Sequence, residues 1–221
     1  MKTEFSETTL RKAKEEVVRV QVERFHLFYS HYFRLNETIA MATFFFERIY
    51  NLNAKEEWLS IAFDTFSKVK GMIKETTRTN IENLIELNTI TDELDTKLAN
   101  LLLEKGWEPG DQVSQSEYKK YFIELDHRTQ RVKQLKVVLF NLQKFYDLAH
   151  KPMSGYIIKP AGFMAKMLGV YPLFQSVEEG YFAILPVTPQ LFASFVEEVT
   201  LKEWEFLFDC FPDLRSTEAI A

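Results

Sequence analysis

Residues 79–105 read TNIENLIELNTITDELDTKLANLLLEK, and their apolar side chains recur at intervals of three and four residues. This spacing places them along one face of an α-helix, because successive helical residues are rotated by about 100°. Gly106 follows directly, and glycine is the residue that most often ends a helix. The stretch therefore predicts a helix from about Thr79 to Lys105.

The same spacing recurs through most of the chain, and helix-capping residues divide it into separate helices. Four further helices are predicted before the first proline-rich stretch: from about Glu7 to Leu35, from an N-cap at Asn36 through Phe44, Phe45, Ile49 and Tyr50, from a capping box at Asn53 and Glu56 to Ile73, and from Ser114 or Ser116 to about His150. Pro152 should interrupt the last of these, because proline lacks the amide proton that the helix needs.

Glycines and prolines break the chain into shorter pieces after Pro152. Pro172 suits the first turn of a helix that runs through Leu185, and Thr188 suits an N-cap that proline follows directly. The pattern of Thr200 and Glu203 predicts one more capping box, before a final helix.

The composition is that of a globular protein, with 46% hydrophobic residues, 20 Phe, 9 Tyr and 3 Trp. No linker, internal repeat or strand-like alternation is visible. We expect an all-α, single-domain bundle over residues 1–221 with eight or nine helices. Long antiparallel central helices should form its middle, the C-terminal third should pack across one end, and residues 1–6 and 212–221 should be frayed.

Charge and apolar content exclude several classes of function. The net charge is −5 and the basic residues are scattered, which disfavours binding to nucleic acid. No apolar run approaches the roughly 18 residues of a membrane span, and no secretory signal is visible at the N-terminus. The single cysteine, Cys210, indicates a buried apolar side chain in a reducing compartment. The expected location is the cytoplasm.

Several segments resemble those of a family of uncharacterised, helical bacterial proteins. Residues 44–50 (FFFERIY) resemble its FFLEELY-like segment, residues 86–95 (ELNTITDELD) its ELNxLTxELD-like segment, and residues 151–155 (KPMSG) its KPxxG-like segment. The matches keep their order, although Asn51 and Leu52 replace a Gly or Pro of the family. The resemblance implies a helical fold and no assigned activity, so it contributes no catalytic residue.

Three polar residues interrupt the apolar face of the helix predicted over residues 79–105. Asn88, Thr91 and Asp95 recur at spacings of three and four. Buried and unpaired, each would cost roughly 1–3 kcal/mol, so each should have a partner. The structural interpretation, which we favour, is a hydrogen-bond network between helices. The functional interpretation is a ligand-binding site.

Two Glu-x-x-His pairs allow a metal-site hypothesis. Glu23 with His26, and Glu124 with His127, place a carboxylate and an imidazole on one helix face, as in four-helix di-iron sites. Glu47 and either Glu86 or Glu93 would have to supply the remaining ligands. Pairs of this kind arise often by chance, so we expect solvated helix faces and no metal or other cofactor.

No catalytic constellation, phosphate-binding loop or zinc motif is present. We therefore expect a non-enzymatic helical interaction or regulatory module, with a homodimer or another protein as partner. The alternative is a helical binder of a hydrophobic small molecule, with Asn88, Thr91 and Asp95 as its polar end. A metal-dependent enzyme that uses the Glu and His pairs is the remaining alternative.

Overall fold

The computed structural model describes residues 5–48, 66–67, 71, 75–151, 162, 165–167 and 171–218. Every regular element among these residues is a helix, which confirms the all-α prediction. The elements are α1 (Glu7–Phe28), α2 (Ile39–Thr43), a π-helix (Phe44–Arg48), α3 (Glu75–Glu104), α4 (Gln115–Leu125), α5 (Arg128–His150), α6 (Tyr171–Ile184), α7 (Pro189–Cys210) and α8 (Leu214–Thr217).

Helix α1 is shorter than the predicted helix, which was to continue to Leu35. Its N-terminus is capped by Ser6, whose hydroxyl accepts a hydrogen bond from the Thr9 amide at 3.1 Å. It ends at Phe28, and Tyr29, the C-cap, is fully buried. The Tyr29 ring is buried by residues that are distant in the sequence, and the local pattern of residues does not show this.

The second predicted helix is also different from what the pattern suggested. Thr38, and not Asn36, is the N-cap of α2, and the helix becomes a π-helix at Phe44. All three phenylalanines of the π-helix are buried. Ile49, Tyr50 and nearly all of the helix predicted over residues 53–73 lie outside the described residues, although Phe66 is helical and buried.

Helix α3 begins four residues before Thr79 and ends where the sequence predicts. The Gly106 amide donates to the Leu103 carbonyl and the Trp107 amide to the Leu102 carbonyl, which is the Schellman arrangement. Gly106 has a φ of +89°, a conformation that favours glycine. The prediction that Gly106 ends this helix is confirmed.

The helix predicted from Ser114 to His150 is two helices, α4 and α5. Ser114 and Glu117 form the capping box that begins α4, so Ser114 is the cap and not Ser116. Asp126 then adopts a left-handed conformation with a φ of +48°, which ends α4. Aspartate tolerates this region better than most residues, but no glycine or proline marks the break.

The C-terminal helices confirm one predicted cap and contradict another. The Thr188 hydroxyl accepts from the Leu191 amide at 3.3 Å, and Pro189 is the first residue of α7. The capping box predicted at Thr200 and Glu203 is wrong, because both residues lie inside α7. The tail, which was expected to be frayed from residue 212, contains α8 with Leu214 buried.

The chain forms two compact units. The first unit comprises Met1–Ser30, Thr89–Lys136 and Glu197–Ala221, and the second comprises His31–Asn88 and Val137–Val196. Helix α1 packs against α4 in the first unit, whereas α2, the π-helix and α6 pack together in the second. Aromatic rings cluster in the second unit, for example Phe44 with Phe145 and Tyr146 with Phe192. The single domain over residues 1–221 stays a prediction.

Candidate functional site

The three polar residues predicted on α3 do not lie in the same unit. Asn88 is half-buried and belongs to the second unit, whereas Thr91 and Asp95 belong to the first. Thr91 accepts a hydrogen bond from Gln134 of α5 at 2.8 Å, and Asp95 accepts one from Gln21 of α1 at 2.9 Å. These are the hydrogen bonds between helices that the structural interpretation predicts. Ligand binding at these positions stays a prediction.

Asp95 is the most completely buried charged residue of the first unit, with no exposed surface. Its Oδ1 accepts the Gln21 hydrogen bond, but its Oδ2 has no hydrogen-bond partner. Burial raises the pKa of Asp95 because it disfavours the charged form, although the Arg131 guanidinium and the Gln21 amide act in the opposite direction. Asp95 is therefore a carboxyl group with one free oxygen and a stabilised protonated form.

Arg131 lies on α5 and is also buried. Its Nη1 donates to the side-chain oxygen of Gln134 at 3.0 Å, and its guanidinium lies 4.6 Å from the centre of the Phe122 ring. Its Nη2 has no hydrogen-bond partner. Among the described residues, no carboxylate pairs with Arg131 in direct contact. The direct contacts of this buried guanidinium with described residues are therefore with neutral groups, Gln134 and Phe122.

A second buried arginine in the first unit, Arg24 of α1, has a very different environment. Its Nη1 and Nη2 donate to the two oxygens of Glu203 at 3.0 and 2.8 Å, and Tyr29 donates to the same carboxylate at 2.7 Å. Burial acts to lower the pKa of Arg24, but the Glu203 carboxylate outweighs burial and raises it. The guanidinium also stacks on Phe206, 4.3 Å from the ring centre, and its Nε has no partner.

Tyr118 of α4 connects these groups electrostatically. It is buried, and burial raises its pKa to about 12, while the charges of Arg131 and Arg24 lower it and that of Asp95 raises it. The hydroxyl is therefore protonated at neutral pH. We call Asp95, Arg131, Tyr118, Gln21 and Gln134 the buried polar cluster.

Sequence analysis missed the residues that face Asp95, because charged and amide side chains were assumed to be exposed. A usable signal was present. Gln21 and Arg24 follow Val17 at spacings of four and seven, so they continue the buried face of α1. A search for polar residues on the apolar face of a helix, which identified Thr91 and Asp95, would also have identified Gln21 and Arg24.

Two other buried charged residues of the first unit have hydrogen-bond partners that explain their burial. Glu16 of α1 accepts from the Val113 amide at 2.6 Å and from two nitrogens of Arg19, both at 2.8 Å. Lys14 donates to Asp92 of α3 at 2.6 Å. These contacts hold the loop before α4, and the helix α3, against α1, and they leave no free group for a ligand.

The residues of the metal-site hypothesis are engaged elsewhere or separated. Glu23 is exposed and accepts from Arg19 and Gln115, and Glu124 pairs with Lys105 at 2.5 Å. His26 is exposed, and burial lowers the pKa of His127. In the part of the chain that the structure describes, no three His, Cys, Asp or Glu side chains are placed to hold a metal ion.

Cys210 is buried, as predicted, and burial raises its pKa to about 11. The thiol is therefore protonated at neutral pH, which is unsuitable for a nucleophile. Helices long and apolar enough to cross a membrane are absent from the described residues.

Comparison with known proteins gives a family without an assigned activity. No curated protein and no solved structure matches the chain. A family model described as a domain of unknown function (DUF8198) matches residues 1–213, nearly the whole chain. This agrees with the resemblance to an uncharacterised family, and the chain belongs to the family that carries this domain, DUF8198.

Proposed function

We propose that this protein is a non-enzymatic, regulatory helical module that binds a small molecule in its first unit, at the buried polar cluster. The observation that carries the proposal is the pair of unpartnered atoms, Asp95 Oδ2 and Arg131 Nη2, inside the core. More than nine tenths of buried polar groups in proteins have hydrogen-bond partners. Two unpartnered polar groups that interact electrostatically favour a ligand that supplies partners to both.

The free-energy cost of leaving these buried atoms without partners supports the same conclusion. An unsatisfied buried polar group costs about 1–3 kcal/mol, and a charged one costs more. A ligand that forms hydrogen bonds with both atoms removes these costs on binding. The free energy recovered in this way adds to its affinity. Phe122, which contacts Arg131, supplies an apolar wall beside the polar atoms. Such a site suits a molecule with a polar end and an apolar body.

Catalysis is not part of the proposal, because the cluster offers no activated nucleophile. Tyr118 keeps its proton at neutral pH, and the cysteine thiol of Cys210 does so as well. The unpaired, buried Cys210 also supports the expected cytoplasmic location, which is reducing.

Native mass spectrometry of the protein as purified tests small-molecule binding. The expected result is a mass above that of the chain alone. After denaturation the excess mass should disappear and a small molecule should be released. The substitution Arg131→Gln should reduce its occupancy. Arg128→Gln is the matched control, because Arg128 lies on the same helix, is only half-buried, and is paired with Asp126 and Asp213. The proposal would be contradicted if every non-denaturing preparation showed only the mass of the chain and no compound raised the Tm in a thermal screen.

A second candidate function is self-association through the second unit. Phe182 lies on α6 and Leu185 directly follows the end of this helix. They are 53% and 44% exposed, and Ile39 of the adjoining helix α2 is 45% exposed. Exposed apolar side chains on packed neighbouring helices are typical of interaction surfaces.

Light scattering coupled to size exclusion, over a range of protein concentrations, tests self-association. We expect a dimer for the natural chain and a monomer for Phe182→Asp. Gln190→Asp, an exposed polar position, should not change the mass. A natural chain that stays monomeric at the highest concentrations would refute this second function.

A further inference from the structure

The contrast between the two buried arginines indicates the chemistry of the ligand. Arg24 has the partner that a buried guanidinium is expected to have, a carboxylate that accepts two parallel hydrogen bonds. Arg131 is equally buried and stacks on an aromatic ring in the same way, but its hydrogen bond goes to a neutral amide. The difference that bears on charge is the carboxylate, which Arg24 contacts and Arg131 does not.

We propose that Arg131 and Asp95 bind the carboxylate group of a small organic acid. This rests on the proposed small-molecule binding by the buried polar cluster and names the class of ligand. The carboxylate would accept a hydrogen bond from Arg131 Nη2 and, when Asp95 carries a proton, another from Asp95 Oδ2. Its negative charge would compensate Arg131, a buried guanidinium that has no carboxylate in direct contact among the described residues.

The charges around the cluster support a monovalent anion. Glu203 compensates Arg24, and Asp92 compensates Lys14, at 2.8 and 2.6 Å. Asp95 cannot replace a counter-ion for Arg131 at contact distance, because the two side chains form no ion pair, and burial favours its neutral form. A bound water would satisfy the hydrogen bonds but would leave the charge of Arg131 uncompensated. A phosphate dianion would bring one charge too many.

Acetate is the probe that tests this assignment. Thermal unfolding of the full chain is measured in sodium acetate, sodium phosphate and sodium chloride at equal ionic strength. We expect acetate at about five times its Kd to raise the Tm by about 2–4 °C over chloride, because binding to the folded state alone stabilises it. Phosphate should have a smaller effect than acetate.

Two pairs of variants locate the acetate effect. Arg131→Gln should abolish it, and Arg128→Gln should retain it. If Arg131→Gln does not fold, Asp95→Leu gives an independent test, because leucine is of similar size but cannot form a hydrogen bond with the ligand. Asp95→Leu should therefore weaken the acetate effect, whereas the control Asp92→Asn, whose side chain contacts Lys14 outside the cluster, should retain it.

Three results would overturn the carboxylate assignment: equal melting in acetate and chloride, a phosphate effect as large as that of acetate, or an acetate effect that Asp95→Leu leaves unchanged. If native mass spectrometry still finds a bound neutral molecule, only the assignment of its chemistry fails. If there is no bound molecule and no anion effect, small-molecule binding fails with it.

Discussion

At the scale of single residues, the first unit depends on how its buried charges are paired. Glu203 receives three hydrogen bonds, two from Arg24 and one from Tyr29, and both partners come from the end of α1. Burying Arg24 without a counter-ion would cost several kcal/mol. The carboxylate therefore stabilises the contact between α1 and α7.

We predict that Glu203→Gln destabilises the protein by about 3 kcal/mol, near the lower end of the range for breaking a buried ion pair, because the amide oxygen still accepts one hydrogen bond. Urea denaturation monitored by circular dichroism measures the change. Glu205→Gln, an exposed position two residues further along α7, is the control and should change stability by less than about 0.5 kcal/mol. Equal effects of the two substitutions would show that the Arg24 pair contributes little.

Asp95 gives a pH dependence whose sign is opposite to that of a carboxylate in an ion pair. Burial raises its pKa in the folded state, so between the unfolded and folded pKa values the folded chain binds more protons than the unfolded chain. The contribution of Asp95 to stability is therefore highest at low pH, below the unfolded pKa. It decreases as the pH rises, by at most about 1.4 kcal/mol per pH unit, until the pH exceeds the folded pKa.

We predict that Asp95→Asn makes the protein more stable than the natural chain at neutral pH, since folding then requires neither the protonation nor the burial of a carboxylate. The advantage should diminish as the pH falls through the folded pKa of Asp95. Urea denaturation at a series of pH values, with Asp92→Asn as the control, measures it. A constant difference between Asp95→Asn and the natural chain at every pH would mean that Asp95 does not change its protonation state in this range.

At the scale of helices, local chemistry was predictable from the sequence and long-range chemistry was not. The Ser114 cap, the end at Gly106 and the start at Pro189 depend on residues within five positions of each other. Glu203 fits a capping box with Thr200 by spacing alone, yet its partner Arg24 is 179 residues away. Asp126 breaks a helix through its own backbone conformation, without glycine or proline.

The same limit applies to the candidate site. Thr91 and Asp95 were identified because they interrupt an apolar stripe, which a single helix reveals. Arg131 and Gln134 were not, because their burial depends on how α5 packs against α3, and the sequence does not give that packing.

At Gly180 of α6, two aromatic rings of neighbouring helices lie close to the backbone. A Cβ atom there would lie 2.6 Å from Phe44 Cζ and 2.7 Å from Phe145 Cε1, and both rings are buried. Alanine would gain up to about 1 kcal/mol in helix propensity, but overpacking a core costs typically about 1–3 kcal/mol. Since two confined rings must move, the packing cost should be the larger effect.

We predict that Gly180→Ala lowers the free energy of unfolding by about 1–2 kcal/mol, measured by urea denaturation. In a Phe44→Leu background, where one of the two rings is removed, the same substitution should cost less. A cost that is unchanged in that background would show that Phe44 is not the group that excludes a side chain at position 180.

At the scale of the whole molecule, three of the four boundaries between the two units fall inside helices, and the fourth, between Ser30 and His31, falls in the turns after α1. Helices α3, α5 and α7 each contribute residues to both units. Because a helix is cooperative along its length, unfolding of its residues in one unit exposes the helix end in the other. This physical argument favours the single domain predicted over residues 1–221.

We therefore predict that the chain unfolds in one transition. In a Trp58→Phe variant, the remaining tryptophans, Trp107 and Trp204, lie in the first unit, so their fluorescence reports on that unit alone. Circular dichroism reports on the helices of both, and coincident urea midpoints are expected for a two-state process. Because Gly180 lies in the second unit, Gly180→Ala should also lower the midpoint measured by fluorescence of the first. Separate midpoints, or a fluorescence midpoint that Gly180→Ala leaves unchanged, would mean that the units fold independently despite their shared helices.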